Sequence, residues 1–148
     1  MNKELQDQVD LINLKIKELN SLYHIAAGKS GVADGEICIW STLLNAEENY
    51  SQQDLCDLLS LSKQTVNSLI SGLSKKGYVI LEHVPGTRNR KTIRLTPEGR
   101  SFGQSRVMWI FEAEQKAMEE TDPAEVQACI SMLEKYIQRL KKEFTEKS

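Results

Sequence analysis

Apolar positions along the chain fall into three patterns. From the N-terminus they recur at Leu5, Val9, Ile12, Ile16, Leu19, Tyr23 and Ala26, in steps of four and three residues that hold one stripe on one helical face. Leu11, Leu14, Leu22 and Ile25 widen that stripe, so the helix needs cover on more than one side, and Gly28 and Gly31 supply its end. The C-terminal segment behaves alike. Asp122-Pro123-Ala124-Glu125 is a helix start, with the Asp122 side chain expected to accept from the Glu125 N–H, and the stripe Val126, Ile130, Leu133, Ile137, Leu140, Phe144 follows. A further helix opened by Thr96-Pro97 runs up to it, with Val107, Ile110, Phe111, Ala113, Ala117 and Met118 as apolar members.

The middle of the chain is punctuated differently. Ser51-Gln52-Gln53-Asp54 is a capping signal ahead of Leu55, Leu58 and Leu59; Ser60-Leu61 interrupts, and Ser62 caps a second helix with Val66, Leu69, Ile70 and Leu73 inward. Two short helices joined by a tight turn predict a helix-turn-helix. Tyr78–Val84 is then rich in β-formers, Pro85-Gly86 starts a turn, and Lys91–Leu95 alternates with Ile93 and Leu95 on one face. The expected fold is therefore mainly α with a small β-hairpin wing: a winged helix-turn-helix over residues 31–99, an N-terminal dimerisation helix over 1–30 and C-terminal dimerisation helices over 100–148. Stripes this long must be buried. A second copy of the chain related by two-fold symmetry would cover them, and a monomeric bundle closing on itself is the alternative.

Charge changes the picture. The 148 residues carry a formal net charge of -2, but residues 51–100 hold 8 basic and 4 acidic side chains, while residues 1–50 hold 4 basic and 8 acidic. No acid occurs from Ser62 to Leu81. The outer face of the second short helix offers Lys63, Gln64, Thr65, Asn67, Ser68, Ser71 and Lys75 behind the cap Ser62, and the hairpin tip offers Arg88, Asn89, Arg90 and Lys91. Amides and hydroxyls can meet base edges in a major groove, and lysines and arginines can meet phosphates or a narrow minor groove. These twelve residues form the expected contact surface for double-stranded DNA. A solvated charge cluster is the plainer reading of charge alone, and a winged-helix protein-interaction module without specific DNA binding is the alternative function.

Other chemistries find little support. Ala27-Gly28-Lys29-Ser30 resembles the end of a phosphate-binding loop, but Tyr23 stands where that loop needs glycine. Cys38, Cys56 and Cys129 are odd in number and widely spaced, and His24 and His83 add no paired ligands, so neither a disulfide framework nor a metal site is expected. Each cysteine reads as a small buried hydrophobe. No catalytic residues or cofactors are expected, and neither is an enzyme. The polar, acidic N-terminus and the lack of a long apolar run predict a cytoplasmic protein with no membrane association.

The run from Ser51 to Val79, with its Lys75-Lys76-Gly77-Tyr78-Val79 end, and the later Leu95-Thr96-Pro97-Glu98-Gly99 resemble the MarR family of bacterial transcriptional regulators. Element order fits as well, including a second helix near 34–46. The resemblance spans about residues 5–145 and implies an obligate homodimer holding two winged motifs over successive turns of a pseudo-palindromic operator. It further implies repression, relieved in many members by a small aromatic or phenolic effector bound between the dimer helices and the winged domain. Tyr23, Trp40 and Trp109 offer aromatic surface for that expected crevice, although structural core is the expected role of each. This sequence departs from the family at the wing. Members often carry an acid that braces a wing arginine, whereas Thr87 or Asn89 stands there, leaving open which of Arg88 and Arg90 enters a groove. Peroxide-sensing relatives use a cysteine of the first helix, where this chain has none; Cys38 is the remaining candidate.

Overall fold

The computed structural model describes residues 1–147. Its order is α1 (Lys3–Ser30), α2 (Glu36–Leu44), α3 (Gln52–Leu59), α4 (Lys63–Lys75), β1 (Val79–His83), β2 (Lys91–Leu95), α5 (Pro97–Phe102), a π-helical turn (Gly103–Val107), α6 (Met108–Met118) and α7 (Pro123–Glu146). Two compact units divide the chain after Phe111.

In the first unit, local chemistry sets each boundary. The Asn2 side chain accepts from the Leu5 N–H at the start of α1, and Gly31 closes the helix in the left-handed region, while Gly28 stays within it. At α3 both halves of the capping box form: Ser51 Oγ accepts from the Asp54 N–H at 3.1 Å and Asp54 Oδ2 accepts from the Ser51 N–H at 2.9 Å. Ser60 ends α3 with φ 53°, a left-handed conformation that a small polar residue tolerates. Ser62 then caps α4 by accepting from the Thr65 N–H at 3.1 Å.

Val66, Ile70 and Leu73 of α4 are buried together with Leu55 of α3, Ile39 and Trp40 of α2, and Val79, Ile93 and Val107. Trp40 is a core residue, its ring 5.4 Å from that of Phe102, which stacks on Tyr78 at 4.5 Å. The hairpin pairs Val79 with Leu95, Leu81 with Ile93 and His83 with Lys91, so Ile93 and Leu95 face inward as their alternation predicts. Its base is fastened to the segment before α3, where the Ile93 N–H donates to the Tyr50 carbonyl at 2.7 Å. At its far end Val84–Thr87 makes a tight turn with Gly86 at φ 81°, a position that favours glycine.

The second unit comprises the end of α6 and α7. The Asp122 cap forms one residue earlier than expected: Oδ1 accepts from the Ala124 N–H at 2.9 Å, while the Glu125 N–H goes to the Asp122 carbonyl. Pro123 at the first helical position donates nothing, so Ala124 offers the first free N–H within reach of the short Asp side chain. No residue of α7 is buried. Cys129 lies exposed on it, contrary to the expectation of a buried thiol; Cys38 and Cys56 are half-buried. The physical reason is that Cys129 stands on a helix that buries none of its own residues.

Candidate nucleic-acid interface

All twelve predicted contact residues are exposed, and α4 and the hairpin tip present them. Helical geometry explains the first group. With Val66, Ile70 and Leu73 fixed in the core, Lys63, Gln64, Asn67, Ser68, Ser71 and Lys75 have to point away from it. Two of the hydroxyls are partly committed, since Ser62 Oγ donates to Thr65 Oγ1 at 2.8 Å while capping the helix. Ser62 therefore acts first as a cap that sets where α4 begins.

A groove of about 660 Å³ opens between the first turns of α3 and α4, lined by Gln52, Gln53, Lys63, Gln64 and Asn67. Its lining is amide and ammonium, with no carboxylate. Gln52 and Gln53 are absent from the sequence-based set; their signal is that a capping box fixes them on the first turn of α3, beside the start of α4.

Carboxylates from outside the tip shape the wing. Glu82 accepts from Arg94 Nε at 2.9 Å across the hairpin. Asp54 Oδ2 accepts from Arg90 Nη2 at 3.3 Å, from a position 36 residues earlier. The bracing acid missing from the wing sequence is thus supplied by α3. Among the described residues, Arg88 and Lys91 have no ion-pair partner; the Arg88 carbonyl accepts from His83 Nε2 at 3.3 Å, which steadies the backbone beneath a free guanidinium.

The Ser51 backbone N–H holds the Asp54 carboxyl below the usual carboxylate range; burial opposes this, and the Ser51 hydroxyl and Arg90 reinforce it. A depressed folded-state pKa contributes stability that is complete above the unfolded value and is lost as pH falls through the folded one. Urea midpoints followed from about pH 6 down to about pH 2 should accordingly show an acid limb that Asp54→Asn flattens; an identical limb in the variant would remove this carboxylate from the linkage. Burial pushes the Cys38 thiol up, and its Sγ donates to the Gly35 carbonyl, an environment that disfavours the thiolate needed for oxidation sensing.

Among the described residues, no group of three or more His, Cys, Asp or Glu side chains is placed to hold a metal ion, and no helix is long and apolar enough to cross a membrane.

With α3, α4 and the hairpin in place, the segment can be compared with known proteins. Residues 39–88, which span the helix-turn-helix and reach the wing tip, match the model of the MarR family. This winged segment is therefore similar to those of MarR-family proteins. The HTH-type transcriptional repressor YetL of Bacillus subtilis is 25% identical over 133 residues, 89% of this chain and 79% of that protein. NMB1585, a MarR family regulator from Neisseria meningitidis, superposes over the whole of both chains with a TM-score of 0.81 at 18% identity. A MarR family regulator from Listeria monocytogenes, solved with a 26mer DNA, matches 97% of this chain and 92% of its own with a TM-score of 0.70 at 20% identity. The chain therefore shares its fold with these solved structures, at a level of identity that leaves individual contacts to be argued from this chain's own residues.

Proposed function

We propose that the protein is a transcriptional regulator, and specifically a repressor, that binds double-stranded DNA sequence-specifically as a homodimer on a pseudo-palindromic operator. One observation carries this reading: an exposed face free of acids, running along α4 from Ser62 to Lys76 and continuing at a wing tip whose Arg88 and Lys91 have no ion-pair partner among the described residues. A solvated surface helix has no reason to exclude carboxylates over such a length. In this reading Gln64, Thr65, Asn67 and Ser68 meet base edges, Lys63 and Lys75 meet phosphates, and the tip reaches the neighbouring minor groove.

The exposed stripes of α1 and α7 support the homodimer, since water-facing Leu11, Leu14, Leu22, Ile130 and Ile137 are costly until covered. Release by a small aromatic or phenolic effector belongs to the same proposal. Trp109 is 41% exposed, with its indole N–H donated to buried Ser30 at 2.9 Å, and could report such a ligand by fluorescence.

Selection of bound sequences from a random duplex pool tests the function. Two related half-sites about 10 bp apart, centre to centre, are expected, with Gln64→Ala shifting preference by about 1–3 kcal/mol at a contacted base. A pool that never enriches would transfer support to the protein-interaction module.

A further inference from the structure

We propose that Asp54 is a positioning residue for the wing: it holds Arg90 as a strut between α3 and the hairpin, and Arg88 is the tip guanidinium that meets DNA. The inference rests on the DNA-binding reading and divides labour between two arginines that look equivalent in the sequence.

The Asp54 carboxylate is oriented before Arg90 reaches it, because its Oδ2 already accepts from the Ser51 N–H at 2.9 Å. Arg90 then adds a bond at 3.3 Å to the same oxygen. The wing is thereby attached to the start of α3 at two heights. Near its base the Ile93 N–H meets the Tyr50 carbonyl at 2.7 Å, and three residues further out Arg90 meets Asp54. Above these attachments the Thr87 hydroxyl and N–H both donate to the Val84 carbonyl, at 2.7 and 3.2 Å, and His83 reaches the Arg88 carbonyl. The backbone that carries Arg88 is therefore held on both sides, while its side chain is exposed and, among the described residues, unpaired.

Electrostatics favour the same division. Were Arg90 to leave for a phosphate, the Asp54 carboxylate would remain uncompensated close to the DNA backbone, and like charges would meet. Keeping the pair intact while Arg88 engages avoids that repulsion. An exposed ion pair adds little stability of its own, so its consequence is where the tip points.

The test uses the full-length protein and measures affinity against salt on the selected duplex, or on a 26-bp duplex of arbitrary sequence if none is enriched. Arg88→Ala should lower the slope of log K against log salt by about 0.9 for each wing. Arg90→Gln should weaken binding by about three- to tenfold and leave the slope unchanged, Asp54→Asn should do the same, and the double variant should be no worse than either. Arg90→Lys should recover part of the loss. Asp54→Asn keeps a side-chain oxygen that can accept from the Ser51 N–H, so the cap survives, and Arg90→Gln alters an exposed side chain that the fold does not need. A lower slope for Arg90→Gln, or tighter binding by Asp54→Asn as an arginine is set free, would overturn the proposal. A DNA-free measurement separates it from the functional reading: backbone 15N relaxation at residues 86–91 should show equal gains in motion for Asp54→Asn and Arg90→Gln. Unchanged relaxation defeats the strut whatever the DNA result, whereas wild-type protein that ignores every duplex defeats the DNA reading while leaving the relaxation result to judge the strut.

Discussion

Gly99→Ala is expected to cost about 3 kcal/mol or more, the largest effect of any single methyl group added to this chain. A Cβ at this buried position would fall inside the contact radius of the Tyr78 carbonyl oxygen and within 2.8 Å of its carbon. Neither partner can yield cheaply. The Tyr78 carbonyl already accepts from the Thr96 N–H at 3.0 Å, and the Gly99 N–H is the donor to Thr96 Oγ1 at 3.0 Å that starts α5. The same threonine hydroxyl donates to the Gly77 carbonyl at 2.6 Å. Displacing Tyr78 would also disturb its ring stack on Phe102 and, through it, Trp40. Urea unfolding measures the loss directly, with Glu98→Ala as an exposed neighbour expected to stay within about 0.5 kcal/mol. If Gly99→Ala were as mild as that control, the close approach would have no energetic consequence.

This knot explains two motifs that the sequence presents separately. Leu95-Thr96-Pro97-Glu98-Gly99 and Lys75-Lys76-Gly77-Tyr78-Val79 are the two sides of one junction, where the exit from α4, the hairpin base and the start of α5 are tied by a few hydrogen bonds of the backbone and the Thr96 hydroxyl. The glycine is required by proximity, which no local pattern reveals.

What the sequence made visible was local. The capping box at Ser51 and Asp54, the cap at Ser62 and the alternation of Ile93 with Leu95 all act over two to four residues and form as expected, and of the inward set Val66, Leu69, Ile70 and Leu73 all are buried but Leu69, which is partly so. The exposure of the eight predicted residues on α4 and its cap follows for the same reason, because a helix with one buried face must expose the other. Features set by tertiary distance were hidden. The pairing of Asp54 with Arg90 joins positions 36 residues apart, and only the fold of the hairpin back toward α3 creates it. The π-helical turn at Gly103–Val107 interrupts what reads as one helix from Pro97 onward, with no proline to announce it. The Asp122 cap went astray by one residue because helix starts offer several N–H groups within reach of a short side chain.

The second large effect concerns association. In the proposed homodimer, charging the α7 seam through Ile130→Asp together with Ile137→Asp should dissociate the protein to monomers in sedimentation equilibrium at micromolar concentration. Ile130, Leu133, Ile137 and Phe144 are 44%, 36%, 48% and 70% exposed on a helix that buries none of its residues, so their apolar surface is gained in full only when another chain covers it. Covering an aliphatic or aromatic side chain is worth roughly 1.5–3 kcal/mol when it passes from exposed to buried, and two-fold symmetry counts each one twice. Aspartate at two turns of the seam replaces that gain with four unpaired carboxylates facing a dry surface, a cost that association cannot absorb. Ile130 and Ile137 are exposed, so circular dichroism should show the helices retained. Operator affinity should nevertheless fall by about two to four orders of magnitude, because two reading heads joined in one particle bind the second half-site at an effective concentration that separate monomers never reach. A variant that stayed dimeric would place the interface elsewhere, on the exposed leucines of α1; one that became monomeric yet kept full affinity would show that a single winged helix suffices for recognition.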